Sequence, residues 1–277
     1  MKRTSAQSLL FLALGAVTIL SVFYQFRLGK NLMQTSSSVG ERELPIYSVE
    51  IKEPKIALTF DAAWGNEDTA KILEILDTHQ VKATFFITGG WAEQYPEDVR
   101  RIYAAGHDLG NHSQSHKNMS QLSGTDCRKE ILAVHDKVKE LTGYEMFLFR
   151  PPYGDYNNQV INNVKACGYY PIQWSVDSLD WKNYGAESIL QTVTESKELR
   201  NGAIILCHNG AKYTADALDS LITALEEKGY TFVPVSELIY RDNYHMDHTG
   251  RQFSDEQAVS VIPINEAAAA SVFDLSK

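Results

Sequence analysis

Cysteine is scarce in this sequence: its 277 residues include three cysteines, Cys127, Cys167 and Cys207. An odd number of widely spaced cysteines predicts neither a disulfide framework nor a zinc knuckle, so we interpret them as ordinary buried thiols. Positive charge is also in deficit, because 26 basic residues stand against 35 acidic ones and leave a formal charge of -9. Such a charge repels phosphate backbones and argues against nucleic-acid binding as the main function.

The sequence also lacks internal repeats, and no glycine-rich phosphate loop follows any of its predicted strands. A nucleotide-dependent enzyme is therefore not predicted. A chain of this length has room for one sizeable α/β domain with tails. We expect a single catalytic domain that acts on a neutral or mixed-charge substrate.

One long apolar run is present, near the N-terminus. Residues 9–24 are uncharged, follow Lys2 and Arg3, and with their flanks reach about the shortest length that spans a bilayer. The run ends without the small residues of a cleavage site, which favours an uncleaved signal anchor over residues 1–30; a cleaved signal peptide and a buried core helix are the alternatives. We expect a single-pass protein of the cell membrane with its domain outside the cytoplasm, an orientation that the flanking basic residues favour only slightly.

The remaining chain divides by its pattern into a tether over residues 31–46, a domain over residues 47–240 and a tail over residues 241–277, in which His245 and His248 are predicted to be solvated. Strands are predicted at residues 56–60, 83–88, 108–112, 147–150, 170–176, 203–207 and 231–235. Helices are predicted at residues 68–79, 96–105, 125–141, 186–199 and 215–228. This alternation predicts an α/β fold with parallel strands, in an open sheet or a barrel.

Polar residues follow the predicted strands at their carboxyl ends, where parallel α/β folds place active sites. They are Asp61, Asn111, His112, Arg150, Asp177 and His208, with His116 shortly after His112. Each one alone is also explained as a loop residue or a helix cap. Their recurrence at five strand ends predicts one shared site.

His112 and His116 are four residues apart, so two imidazoles can bind one cation if the segment turns after its strand. Imidazole donors suit zinc or another late first-row metal. As an isolated pair they are equally well explained as satisfied surface or core histidines. The carboxylate of Asp61 and the imidazole of His208 at other strand ends favour a hydrolytic site with a metal and an acid–base pair.

Five short segments together support a family resemblance. They are residues 59–61 (Thr-Phe-Asp), 112–116 (His-Ser-Gln-Ser-His), 150–153 (Arg-Pro-Pro-Tyr), 177–181 (Asp-Ser-Leu-Asp-Trp) and 206–208 (Leu-Cys-His). In order and spacing the chain resembles the NodB-type polysaccharide deacetylases, the fourth family of carbohydrate esterases, over residues 47–240. Residues 59–66, Thr-Phe-Asp-Ala-Ala-Trp-Gly-Asn, are most similar to the sporulation-associated, PdaB-like branch.

The resemblance implies a distorted (β/α) barrel of the NodB homology type that removes acetyl groups from an N-acetylated polysaccharide. Asp61 matches the catalytic base of the family, and Arg150 matches the residue that pairs with this base. His208 matches the general acid, with Asp180 as the carboxylate that orients its ring. Such a pair supplies the proton transfers that amide hydrolysis needs.

The resemblance also implies one divalent metal, zinc by preference, with His112 and His116 as ligands. The backbone N–H of Tyr153 matches an oxyanion donor, and Trp181 and Leu206 match the apolar pocket for the acetyl methyl group. For Trp181 the alternative is a core residue, because aromatic side chains are so often buried.

The first motif departs from the family pattern at its second position. The family has a second aspartate there, which is a metal ligand, but this chain has Ala62. The candidates for compensation are Asp61, Asn66, Glu67 and Asp68. Of these, Glu67 and Asp68 also suit the start of the next helix, where acidic residues interact favourably with the helix dipole.

Two functions remain open at this point. The first is a membrane-anchored deacetylase whose substrate is peptidoglycan, because an exported and anchored member of this family would meet that polysaccharide first. The second is a glycan-binding protein that keeps the fold and has weak or no turnover. A different metal hydrolase would need other ligand spacings, which the sequence does not contain.

Overall fold

The computed structural model describes residues 42–255. The predicted anchor over residues 1–30, most of the tether over residues 31–46 and the last part of the predicted tail lie outside the described residues. Within residues 42–255, no helix combines the length and the apolar character that a membrane span requires.

The strands of this part of the chain are β1 (Ser48–Val49), β2 (Lys55–Ala62), β3 (Thr84–Ile87), β4 (Asp108–Asn111), β5 (Leu148–Phe149), β6 (Tyr170–Pro171), β7 (Val176–Asp177), β8 (Ile204–Asn209), β9 (Thr231–Phe232), β10 (Tyr244–Met246) and β11 (Arg251–Ser254). The α-helices are α1 (Thr69–Thr78), α2 (Gly89–Gln94), α3 (Pro96–Ala104), α4 (Gly124–Thr142), α5 (Asn158–Ala166), α6 (Ala186–Thr194), α7 (Thr214–Glu227) and α8 (Val235–Leu238). Three 3₁₀ turns complete the inventory: Met119–Gln121, Pro152–Gly154 and Asp180–Lys182.

One parallel sheet carries the fold, in the order β6-β5-β4-β3-β2-β8-β7, with β9 paired to the start of β2. The central strand β2 is buried at every position after Lys55, as expected for a parallel strand covered on both faces. The predicted α/β architecture with parallel strands is therefore confirmed, in the form of a curved half-barrel with helices around it.

Strand alternation divides β2 between two apolar clusters. Leu58, Phe60 and Ala62 pack into the larger cluster together with helix residues such as Leu76. Ala57 belongs to the smaller, inner cluster. Because successive side chains of a strand point to opposite faces, Thr59 and Asp61 lie on the inner side with Ala57.

The predicted strand over residues 170–176 is two short strands, β6 and β7, which pair with different neighbours. Between these two strands, the backbone groups of Gln173 form hydrogen bonds with residues outside β6 and β7. Gln173 donates its N–H to Ile46 O at 2.7 Å, and its carbonyl accepts from Arg150 Nη2 at 3.1 Å. In the described chain no ladder joins β6 to β7, so the half-barrel is open at this point.

Helix ends follow their local sequence. Thr88, Ser123 and Asn157 each accept a hydrogen bond from the backbone N–H three residues ahead, which begins α2, α4 and α5. Gly143 ends α4 with a φ of 75°, a left-handed conformation that glycine adopts without a Cβ clash.

The prediction of an unpacked tail from residue 241 is wrong for β10 and β11. These strands pair with each other, and β11 also pairs with β1 near the start of the domain. The buried side chain of Arg251 has polar partners for its charge, namely Glu50, Ser48 and the carbonyl of Asn201. Polar strands with distant partners have no apolar periodicity, which is the signal that sequence analysis uses. His245 and His248 are exposed, as expected.

Candidate active site

The site forms at the carboxyl ends of β2 and β8, on the inner side of the sheet. Asp61 and His208 are register partners on these two parallel strands, and Thr59 pairs in the same way with Leu206. Since register partners on adjacent parallel strands point to the same face, the predicted base and the predicted acid share one site. The predicted convergence of Asp61 and His208 is therefore observed.

Arg150 follows β5 and holds Asp61 by a buried ion pair. Its Nη1 donates to Asp61 Oδ1 at 2.7 Å and to Thr59 Oγ1 at 2.8 Å, and its guanidinium lies 4.0 Å from the centre of the Phe86 ring. Burial by itself raises the pKa of Asp61, but the charges of Arg150, His112 and His208 outweigh it, and the pKa lies below its ordinary value. Asp61 is therefore a carboxylate at neutral pH.

Asp180 orients His208 from the 3₁₀ turn Asp180–Lys182, which lies between β7 and β8 in the chain. Its Oδ1 lies 2.7 Å from His208 Nδ1, and its Oδ2 accepts from Thr214 Oγ1 at 2.7 Å. Burial acts to lower the pKa of His208, but the hydrogen bond and the charge of Asp180 outweigh it and raise that pKa. The ring is thus held for proton donation with Nε2 available to a substrate.

His112 and His116 meet beside this pair, with ring centroids 5.0 Å apart. His112 Nδ1 lies 2.8 Å from Arg150 O and His112 Nε2 lies 3.5 Å from Asp61 Oδ2. Burial lowers the pKa of His112, and it lowers the pKa of His116 to about 4. Both rings are therefore neutral at pH 7, the form in which imidazole binds metal, and the carbonyl contact on Nδ1 is typical of metal-binding histidines.

The loop that carries His116 is strained and strongly braced. Ser113 and His116 have φ values of 67° and 52°, a region that costs energy for residues other than glycine. Ser113 Oγ accepts from His116 N at 3.0 Å, and the buried carboxylate of Glu130 on α4 accepts from Ser115 N at 2.7 Å. These contacts hold His116 near His112.

The donor set is incomplete for a resident metal. Ala62 is fully buried in the helix-side cluster and offers no oxygen, and within residues 42–255 no group of three or more His, Cys, Asp or Glu side chains is placed to hold a metal ion. Two imidazoles alone fall short of the three protein ligands usual at catalytic zinc sites.

Three of the four possible substitutes for the missing ligand are engaged elsewhere, whereas Asp61 lies in the site with its Oδ2 3.5 Å from His112 Nε2. Asn66 Nδ2 donates to Asp98 at 2.7 Å, and Glu67 Oε2 accepts from Asn66 N at 3.0 Å. Asp68 precedes α1 and accepts from Gly210 N at 2.9 Å. Asp68 stands at the N-cap position of α1, as expected, although its side chain makes no capping bond to the helix.

The remaining predicted residues border the site. Tyr153 lies in a 3₁₀ turn with its ring 4.5 Å from that of His116. Trp181 directly follows Asp180 and is half exposed, so the alternative of a core residue is wrong for it. Leu206 is buried on the same face of β8 as His208. Asp177 accepts from Leu179 N at 2.8 Å and shapes the turn that contains Asp180.

Sequence analysis missed three residues of this site. Thr59 accepts from the guanidinium of Arg150, and Thr214 donates to Asp180 from the start of α7. The indole of Trp64 stands between His116 and His208, with centroid distances of 5.4 and 6.2 Å. For Thr59 the period of two along β2 was a usable signal, whereas Thr214 lies 34 residues from its partner and has none.

With this geometry in place, comparison with known proteins decides the family. The sequence model of a family described as polysaccharide deacetylase matches residues 48–172. Peptidoglycan-N-acetylmuramic acid deacetylase PdaA of Bacillus subtilis is 33% identical over 212 residues, which cover 74% of this chain and 78% of that protein. The chain belongs to the polysaccharide deacetylase family. The family predicted from the five motifs is confirmed, and with it the assignment to the polysaccharide N-deacetylases.

Two further relatives show how the family varies. Peptidoglycan-N-acetylglucosamine deacetylase PgdA of Listeria monocytogenes is 38% identical over 232 residues, covering 81% of this chain and 48% of that protein, so the chain spans about half the length of that relative. The solved structure of BA3943 from Bacillus anthracis, described as a CE4 family pseudoenzyme, has a TM-score of 0.67 at 35% identity and covers 70% of this chain and 68% of that one. A mutant of BA3943 is described as having restored enzymatic activity.

Proposed function

We propose that this chain removes N-acetyl groups from peptidoglycan outside the cytoplasm, with Asp61 as base and His208 as acid. The observation that carries the proposal is the register pairing of these two residues, each held by its own buried partner, Arg150 for Asp61 and Asp180 for His208. The names of PdaA and PgdA support peptidoglycan as the substrate class.

In this scheme Asp61 takes a proton from water as the water oxygen attacks the acetyl carbonyl carbon. The backbone N–H of Tyr153 donates to the developing oxyanion. His208 then gives its proton to the sugar nitrogen while the carbon–nitrogen bond breaks, so the products are acetate and a free amino sugar. Arg150 keeps Asp61 ionised before this step, and Asp180 keeps the His208 ring in place during it.

A divalent metal also belongs to the proposal, with zinc favoured by two imidazole donors. His112 and His116 would hold it, and a bound ion would supply Lewis-acid polarisation of the acetyl oxygen. Because Ala62 removes one ligand, we expect the affinity of this site for zinc to be lower than at a site with three protein ligands. The acid–base residues are complete without it.

A second candidate function is supported by Ala62. The buried Ala62 and the description of BA3943 as a pseudoenzyme favour a glycan-binding protein with weak or no turnover. The N-terminal anchor and a role in sporulation complete our proposal for localisation and biology. The anchor rests on the apolar run of residues 9–24, and the role in sporulation rests on the resemblance to the PdaB-like branch.

Acetate release from purified peptidoglycan and from N-acetylglucosamine oligomers, with zinc added, separates the two functions. We expect the parent chain to release acetate and Asp61→Asn to lose at least a hundredfold in rate, a usual scale for a general base. Asp77→Asn, at an exposed position on α1, is the matched control and should match the parent. Glycan binding without acetate release in the parent would establish the binding protein.

A further inference from the structure

Trp64 is an exposed aromatic residue that stands directly between the histidines of the site. Its ring lies nearly parallel to that of His208, with an interplanar angle of 20° and a centroid distance of 6.2 Å. It meets the ring of His116 edge-on, at 87° and 5.4 Å. Even so, 50% of the Trp64 surface remains exposed, so a large apolar face borders the proton-transfer residues.

The backbone around Trp64 is fixed in place by Trp91 on α2 and by the residues that follow His208. The carbonyl of Gly65 accepts from Trp91 Nε1 at 2.6 Å and from Asn209 Nδ2 at 3.3 Å. Gly210 approaches so closely that a Cβ on it would lie 2.3 Å from Trp64 O. The backbone that carries the indole is therefore held in place relative to His208, and little backbone entropy is lost if a ligand covers the ring.

A half-exposed indole on a fixed backbone, beside polar catalytic groups, suits a ligand with one apolar face and polar edges. The C–H face of a pyranose ring is such a surface, and the hydroxyl and acetamido groups at its edge would remain free to reach neighbouring polar groups. Tyr153, whose ring contacts His116 from another side and which is 67% exposed, extends the aromatic surface.

We propose that Trp64 forms the wall of the subsite for the sugar that is deacetylated. The pyranose ring packs on the indole, which places the acetamido group beside His208 and Asp61. Trp64 is thus a positioning and specificity residue for the proposed reaction, and this assignment rests on the proposed glycan substrate. It predicts that the loss of the indole affects binding of the sugar more than the chemical step.

The test compares the full chain with Trp64→Ala, Trp64→Phe and Tyr103→Ala, using the tetramer of N-acetylglucosamine as the probe. Tyr103 is a matched control, because it is an exposed aromatic residue on α3 that contacts Tyr144. Titration calorimetry gives Kd, acetate release gives KM and kcat, and circular dichroism checks the fold. We expect Trp64→Ala to raise Kd and KM about tenfold with kcat within about threefold, a scale consistent with one lost aromatic contact. Trp64→Phe should recover most of the affinity.

The outcomes separate this proposal from the proposed function. If the parent releases acetate and Trp64→Ala keeps the parental Kd and KM, the subsite is overturned and the deacetylase stands. If the parent binds the tetramer without releasing acetate and Trp64→Ala still weakens binding, the subsite stands and the hydrolytic function falls. If Tyr103→Ala weakens binding as much as Trp64→Ala, or if the parent does not bind the tetramer, the subsite is overturned.

Discussion

Asp180 accepts two hydrogen bonds from one residue, His208. Asp180 Oδ2 lies 2.6 Å from His208 N, and Asp180 Oδ1 lies 2.7 Å from His208 Nδ1. The first contact fixes the backbone at the end of β8 and the second fixes the ring, so the direction of Nε2 follows from a single buried carboxylate. This pairing has a measurable consequence for the pH dependence of the proposed reaction.

Replacing Asp180 by Asn should move the alkaline limb of the acetate-release profile to lower pH. His208 must be protonated to act as the acid, and its pKa is raised because the hydrogen bond and charge of Asp180 outweigh burial. In Asp180→Asn that charge is lost, so the pKa of His208 falls and the protonated form disappears at lower pH. The measurement is the pH–rate profile together with the NMR titration of the His208 ring.

Thr214→Val is the control for this prediction. It removes the hydrogen bond to Asp180 Oδ2 but leaves the charge of Asp180, so its profile should shift much less. An unchanged His208 titration in Asp180→Asn would contradict the role assigned to the carboxylate.

Removing the charge of Arg150 should destabilise the fold strongly. Arg150 and Asp61 are both buried, so Arg150→Leu leaves a carboxylate without its partner, at a cost of about 3–5 kcal/mol. Adding Asp61→Asn to that variant should restore part of the lost free energy of unfolding, because the unpaired buried charge is then absent. Urea denaturation of both single variants and the double variant measures the coupling.

Arg200→Leu is the matched control, because Arg200 forms an exposed ion pair with Glu198 at 3.1 Å. Its effect should stay within about 1 kcal/mol. Equal losses in Arg150→Leu and Arg200→Leu would show that the Asp61 pair adds nothing beyond an ordinary surface contact.

His107 should make the domain sensitive to mild acid. It is buried, its Nδ1 accepts from Ala83 N at 3.2 Å, and burial lowers its pKa to about 4. The folded state therefore binds this proton less well than the unfolded state, whose histidine pKa is about 6.5. The stability that depends on neutral His107 is complete above pH about 6.5 and is lost as the pH falls towards 4, by at most about 3 kcal/mol.

The check is the free energy of unfolding of the parent and of His107→Asn between pH 4 and 7. The amide oxygen of Asn replaces the Nδ1 acceptor but does not titrate in this range, so the variant should lose less stability on acidification. His248→Asn, at an exposed position, should keep the parental pH dependence. Parallel curves for the parent and His107→Asn would refute the assignment.

The positions of Asp61, Arg150 and His208 could be predicted from the sequence because each lies at or just past the carboxyl end of a buried strand. Periodicity identifies such strands, and a parallel sheet brings their carboxyl ends together. The bracing partners could not be predicted in this way. Thr214 and Glu130 reach the site from helices, and their contacts depend on tertiary packing that leaves no local pattern.

The same limit explains the errors in the fold. The split between β6 and β7 follows from contacts of Gln173 with Ile46 and Arg150, which are distant in the chain. The strands β10 and β11 were missed because the buried Arg251 and Gln252 look like surface residues in the sequence. Polar residues that are buried with partners break the hydrophobic pattern on which strand prediction depends.

Ala62→Asp tests directly whether the missing ligand limits the site. Ala62 is fully buried beside Asp61 at the end of β2, so an aspartate there adds an unpaired charge in metal-free protein. We expect Ala62→Asp to be less stable than the parent in a chelator, by about 1–3 kcal/mol after partial solvation of the new carboxylate. Zinc should reverse this loss, because a third protein ligand joins His112 and His116.

In this experiment Ala63→Asp is the matched control, because it introduces the same charge one position further along the chain, where the residue is only partly buried. Zinc affinity by calorimetry should rise at least tenfold in Ala62→Asp and stay near the parental value in Ala63→Asp. Acetate release in the presence of zinc should rise with it, since Asp61, Arg150, Asp180 and His208 are already in position. Equal zinc affinity in the parent and in Ala62→Asp would mean that the side chain at residue 62 does not reach the metal site. The third ligand would then have to come from another group.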